Sequence, residues 1–182
     1  MLKPPINKMQ EQVIKQALKV LQMKQVDRRT LVVAHSMCVK LENERELMNR
    51  LVKTFQDLST WKVWSEGLHN SANWNGDSKE FQVGSTFSQE IKLGFPIGVT
   101  VSNETVTAVN QGENTYRVMW NKEEGGIASC HIWSFDCSVN QVEVTNVEVF
   151  HGWPVLLVKP LVSNRWNDLF QKAVEGIVSF SK

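Results

Sequence analysis

The sequence predicts an α+β domain in which a curved antiparallel sheet of six to seven strands wraps around one long C-terminal helix, with an extra helix at the N-terminus. Three observations predict it. From His69 to Gly152, apolar residues alternate with period two in short runs broken by turn residues, which is the patterning of strands. The connections between these runs are too brief for crossover helices, so neighbouring strands run antiparallel. Residues 162–182 carry a wide apolar stripe at helical spacing, enough to cover the apolar face that such a sheet must bury.

The elements follow in order. Residues 6–26 place Ile6, Met9, Val13, Ala17 and Val20 on one helical face with Ile14, Leu18 and Leu21 beside them, and Pro4 and Pro5 stand before the first turn, where proline is tolerated. This amphipathic helix packs on the rest of the domain or on a second copy in a homodimer. Its lysines are dispersed and it has no aromatic wedge, so it does not read as a membrane-surface helix. Thr30 to Leu41 switches to strand alternation, with Leu31, Val33, His35, Met37, Val39 and Leu41 on one face. Asn43 is placed to cap the helix that follows, whose stripe is Leu47, Met48, Leu51, Val52 and Phe55. A short helical turn then bears Trp61 and Trp64.

Strands are predicted over 84–93, 97–109, 114–122, 126–139 and 141–152, with a short one near His69–Trp74. Turns at Gly94–Pro96, Gln111–Gly112, Glu124–Gly126 and Val139–Asn140 separate them. Pro154 reads as the end of the meander, and Ser163 or Asn164 as the cap of the final helix. Residues 1–28 are thus an appendage to a domain of residues 29–182.

Composition excludes several classes of function. A net charge of +1 gives no basic field for nucleic acid. No run approaches the roughly 18 apolar residues of a membrane span, and the first residues hold no unbroken apolar core of a signal peptide. Cys38, Cys130 and Cys137 are odd in number and lack CxxC spacing, which points to free thiols in a reducing cytoplasm rather than to disulfides or a zinc ribbon. No phosphate loop, HExxH or acidic cation cluster is present, so neither metal nor cofactor is expected.

The stretch CHIWSFDC, Cys130–Cys137, concentrates residues capable of chemistry. Alternation sends His131, Trp133 and Phe135 to one face and Cys130, Ile132 and Ser134 to the other, which removes a Cys–His nucleophile pair and a zinc site alike. On the next strand Val142, Val144, Asn146, Glu148 and Phe150 share a face. Both faces of that strand are partly apolar, so alternation alone leaves open which one points inward. If Glu148 does, burial raises its pKa unless a cation such as His131 compensates. His35 shares an apolar face, while His69 and His151 fall in turn regions and read as solvated.

The order of elements, together with Trp61-x-x-Trp64, Gly84 before Phe87, a strand ending in Trp120, His131-x-Trp133-x-Phe135, Glu148-x-Phe150-x-Gly152 and a final helix with Trp166 and Phe170, resembles the helix-grip fold of the START/SRPBCC superfamily. Within it the chain is similar to the polyketide cyclase/dehydrase and lipid-transport-like proteins. The resemblance runs from about Thr30 to Ser181 and leaves residues 1–28 outside. It implies a pocket between sheet and final helix that holds a small hydrophobic or aromatic ligand. Its implied walls are His35, Trp64, Phe87, Trp120, His131, Trp133, Phe135, Glu148, Trp166 and Phe170, and Trp120, Trp133, Trp153 and Trp166 are candidates for an aromatic box. Two further readings stand beside ligand binding: a cyclase/dehydrase-type enzyme using His131 and Glu148, and an interaction or stress-related module with a vestigial pocket.

Overall fold

Alternating runs of the predicted kind become seven strands in the structure, a computed structural model that describes residues 6–40, 43–77, 79–94 and 97–182. The order along the chain is α1 (Lys8–Val20), β1 (Thr30–Lys40), α2 (Glu44–Gln56), a 3-10 turn (Leu58–Thr60), α3 (Trp61–Trp64), β2 (His69–Trp74), β3 (Thr86–Gly94), β4 (Gly98–Gln111), β5 (Thr115–Glu124), β6 (Ile127–Ser138), β7 (Gln141–Gly152) and α4 (Trp153–Phe180). The strands form one antiparallel sheet in the order β1-β7-β6-β5-β4-β3-β2, so the first strand pairs with the last. The sheet curls into a half-barrel whose concave face holds α2, α3 and α4. Pro4, Pro5, Leu41, Phe95 and Pro96, to which the sequence assigns turn or strand-end roles, lie outside the described residues.

Each inner strand face is a period-two set. Leu31, Val33 and Val39 of β1, Trp133 and Phe135 of β6, and Val142 and Val144 of β7 are buried in one core with α2, α3 and α4. The convex face is covered as well. Val13, Ile14, Ala17 and Leu18 of α1 are buried against Met119, Cys130, Ile132, Val147 and Val149. Burying such a side chain contributes about 1.5–3 kcal/mol. Polar contacts fix the placement. Asn7 closes a capping box with Gln10, and its Nδ2 donates to Ser36 Oγ at 2.7 Å and to Glu143 Oε1 at 2.9 Å. Arg117 donates from Nε to Ser134 Oγ at 2.9 Å and reaches Gln16 Oε1 at 3.1 Å. The apolar stripe of α1 therefore covers its own sheet.

Helix α4 departs from expectation. It spans 28 residues and begins at Trp153, not near 162. Pro154 sits in its first turn, where no amide hydrogen bond is lost, so it starts the helix instead of ending the meander. Pro160 lies inside the helix, and its missing N–H is tolerated because buried Val155 and Val162 anchor the helix on either side. Ser163 and Asn164 are consequently interior residues, and Ser163 Oγ donates to Lys159 O at 2.5 Å rather than capping.

The histidines at the sheet ends also differ. His69 is buried in β2 instead of solvated, held by Ser65 and Gln89. His151 is half-buried, its Nδ1 at 3.2 Å from Thr30 Oγ1 and 3.7 Å from Asp27.

Candidate functional site: a layered cavity under the long helix

A cavity of about 220 Å³ lies between the concave face of β3–β7 and α4. Antiparallel register builds it in layers. At the deep end Phe87, Val106 and Trp133 belong to the solid core. One step outward along the same strand faces, β3 presents Gln89, β4 Glu104, β6 His131 and β7 Glu148. Two further steps bring Ile91 and Leu93, Thr100, Ile127 and Phe150. A polar ring thus sits between an aromatic floor and an apolar mouth, with Trp166 and Phe170 of α4 as the roof.

Register places His131 directly opposite Glu148 on neighbouring strands, and this resolves the orientation of β7: Glu148 faces the cavity. His131 Nδ1 lies 3.4 Å from Glu148 Oε2, and His131 Nε2 lies 2.6 Å from Asn146 Oδ1. Because the amide oxygen only accepts, Nε2 carries the proton and Nδ1 turns its lone pair to Glu148. The spacing is that of an ion pair, yet burial works against the charged form of each group. Burial pulls His131 from 6.5 down to about 3, outweighing the Asn146 bond, which acts in the opposite direction. Burial, reinforced by the charge of Glu104, holds Glu148 well above its ordinary 4.5. Both shifts disfavour an ion pair and favour a carboxylic acid facing an imidazole lone pair.

The rest of the ring is a hydrogen-bonded ladder. Gln89 Nε2 donates to Glu104 Oε1 at 3.2 Å, and Ser102 Oγ donates to the same oxygen. On its other side Gln89 Oε1 accepts from His69 Nε2 at 3.0 Å, and Ser65 Oγ lies 2.6 Å from His69 Nδ1. Burial lowers His69 from 6.5 to about 4, so this histidine is neutral too. Lys122 Nζ donates to Ser102 Oγ at 3.2 Å and pairs with Glu124.

Of the ten residues that the resemblance implied as walls, His131, Glu148, Trp166 and Phe170 meet at this cavity. Phe170 stacks on His131 with ring centres 5.4 Å apart, and Trp166 lies against Phe150 at 4.9 Å while donating Nε1–H to Leu93 O. Phe87, Trp120, Trp133 and Phe135 do not reach it. They pack with Phe55, Trp61 and Phe81 into a continuous aromatic core, in which large rings satisfy one another and leave no room for a ligand. Trp64 borders a separate surface cleft with Gly67 and Lys172, and its Nε1 donates to Thr60 Oγ1. His35 lies on the concave face of β1 opposite Asn146, away from the cavity. Trp153 is 64% exposed at the start of α4, so no four-indole box forms.

His69, Gln89, Ser102, Glu104 and Lys122 were missed by sequence reasoning. The available signal was the inverted pattern of β4, in which Val99 and Val101 face solvent while Ser102 and Glu104 are buried. Polar residues facing inward against the apolar alternation mark a site rather than a core.

Sheet, roof and enclosed polar ring together define a helix-grip protein with a small cavity beneath its C-terminal helix. Among solved structures it is similar to a hypothetical protein of Helicobacter pylori, with a TM-score of 0.68 at 18% identity over 84% of this chain and 88% of that one. It is also similar to truncated norcoclaurine synthase from Thalictrum flavum, at 0.57 and 18% over 87% and 97% of the two chains. Major latex-like protein 151 from Panax ginseng matches at 0.56 and 8%, over 84% and 98%. These likenesses show the helix-grip fold. No family model matches the sequence, and no curated protein matches it.

Proposed function

We propose that the protein binds a small, largely apolar molecule in the cavity beneath α4. The observation that carries this reading is the layering itself: apolar walls from Ile91, Leu93, Ile127, Phe150, Trp166 and Phe170 end in a ring of polar side chains. Ligand sites are mostly apolar with a few convergent polar groups, and sites for drug-sized molecules run to about 300–1,000 Å³. A cavity of about 220 Å³ suits something smaller. Native mass spectrometry after gentle purification, with quenching of tryptophan fluorescence by a panel of small aromatic and alkyl compounds, tests it. Binding that Ser129→Phe abolishes without lowering the melting temperature supports the reading. A panel without binders, on protein that carries no bound mass, overturns it.

The facing of Glu148 and His131 favours a second reading, an acid–base enzyme of the cyclase/dehydrase type. A neutral Glu148 would give a proton to a carbonyl or departing hydroxyl oxygen, and Nδ1 of His131 would accept one from carbon. Under this reading Glu148→Gln keeps ligand binding and loses turnover, whereas a protein that only binds shows no turnover to lose.

A further inference from the structure

The charges that line the cavity do not balance. Three carboxyl groups, Glu104, Glu124 and Glu148, line it against one ammonium, Lys122. That ammonium is engaged, since Lys122 pairs with Glu124 and donates to Ser102 Oγ at 3.2 Å. No other fixed cation lines the cavity among the described residues, and His69 and His131 are used by Ser65, Gln89 and Asn146. What faces Glu148 is His131 from β6, Glu104 from β4, Lys122 and Glu124 from β5, and His69 and Gln89 from β2 and β3. Helix α4 offers only the rings of Trp166 and Phe170, and β1 offers Val33. The deep end is therefore acid-rich and wrapped in aromatic faces, an arrangement that attracts cations both by charge and by the ring quadrupoles.

We propose that the cavity selects a protonated amine, with the ammonium seated between Glu104 and Glu148 and the hydrocarbon part lying against Phe150, Trp166 and Phe170. The inference rests on the cavity-binding reading and names the chemical class of its ligand. An ammonium supplies the countercharge that lets Glu148 ionise beside Glu104. Glu148 then gives its proton to solvent as the ligand enters, so the buried acid exchanges a proton for an organic cation. Three ammonium N–H groups find acceptors in the ring: the two carboxylates and Gln89 Oε1. A neutral alcohol of the same shape satisfies the apolar walls equally but leaves Glu104 without a countercharge.

Calorimetry with matched pairs tests the idea: benzylamine against benzyl alcohol, and hexylamine against 1-hexanol, at neutral pH. The amines are expected to bind about tenfold or more tightly than their alcohols, since charge-assisted hydrogen bonds are the stronger kind. Repeating the titration in phosphate and in Tris reads protons, and the amines are expected to release up to one per ligand. In Glu148→Gln the release falls to zero, and in Glu104→Gln the amine preference shrinks toward unity. Equal binding of amine and alcohol overturns the inference while leaving the cavity reading intact. Amine binding unchanged in both variants overturns it as well, because the ammonium then sits elsewhere. If neither amine nor alcohol binds, the cavity reading fails and this inference fails with it. The comparison on the unmodified protein decides the matter even if a variant folds poorly.

Discussion

A methyl group built on Gly176 of α4 would stand 1.7 Å from the carbonyl oxygen of Trp64. The long helix and α3 thus meet backbone to backbone at a point that only glycine permits. The same contact seats α3, whose Trp61 fills the centre of the aromatic core. Gly176→Ala must push the two helices apart, because backbone cannot rotate away as a side chain can. The expected cost is about 1–3 kcal/mol or more, seen as a lower midpoint in urea with an unchanged m-value. A Gly176→Ala protein as stable as the parent would show that the approach is not constrained.

Stability should depend on pH through two opposed contributions. His69 and His131 have folded values of about 4 and about 3 against 6.5 unfolded. Their contribution is present above pH 6.5 and is lost as pH falls toward those values, because the unfolded chain then binds protons that the folded one refuses. Glu148 acts with the opposite sign, since its folded value is raised above 4.5. Its contribution is present below 4.5 and is lost as pH rises through the raised value. Urea midpoints should therefore climb from about pH 4 to 6.5, with Glu148 opposing the two histidines above pH 4.5. In Glu148→Gln that opposition is gone, so the climb should be steeper. A pH profile unchanged in Glu148→Gln would remove Glu148 as a contributor.

Helix α1 should be indispensable to solubility. Deleting residues 1–28 uncovers Met119, Ile132, Val147 and Val149 on the convex face. An exposed apolar patch on an antiparallel sheet invites association. The truncated protein is expected to bind a hydrophobic dye and to self-associate in sedimentation, and Leu18→Ala in the full chain to cost about 2–5 kcal/mol. A monodisperse, equally stable truncation would contradict this.

Thiol reactivity should rank the three free cysteines by exposure. Cys38 is exposed, Cys137 half-buried and Cys130 fully buried, with burial pushing the Cys130 thiol up to about 12. Thiolate is the attacking form. Labelling with a disulfide reagent at neutral pH should modify Cys38 first and Cys137 more slowly, with Cys130 reacting only after denaturant is added. Early labelling of Cys130, read by peptide mass, would mean that α1 opens readily.

Much of the architecture was legible in the sequence because turns and alternation are local. The strands observed at Thr115–Glu124, Ile127–Ser138 and Gln141–Gly152 fall within two residues of their expected bounds. The start of α4 was hidden by Pro154 and Pro160: the first sits in the opening turn, where no amide hydrogen bond is lost, and the second inside the helix, where buried Val155 and Val162 hold the chain helical. The short strand at His69–Trp74 was expected, but Asn70, Ser71 and Asn73 give it no apolar alternation, so the burial of His69 at its start was not. The cavity was harder to read. His131 is assigned to the inner face by its own strand, but its meeting with Glu148 depends on the β6–β7 register, a tertiary fact. Glu104 was invisible because its strand turns valines outward, so that the usual signal points the wrong way.

The cover that α1 lays over one side of the sheet gives this chain two regimes of mutational tolerance. In β6 and β7 neither side of the strand is free, since Cys130, Ile132, Val147 and Val149 are as buried as Trp133, Phe135, Val142 and Val144. In β4, Val101, Asn103 and Thr105 are exposed while Ser102, Glu104 and Val106 are not. A saturation scan should therefore show losses at nearly every position from 130 to 135 and from 142 to 149. From 101 to 106 the losses should fall at every second residue, so the boundary of α1's footprint would appear as a change of rhythm in the variant map.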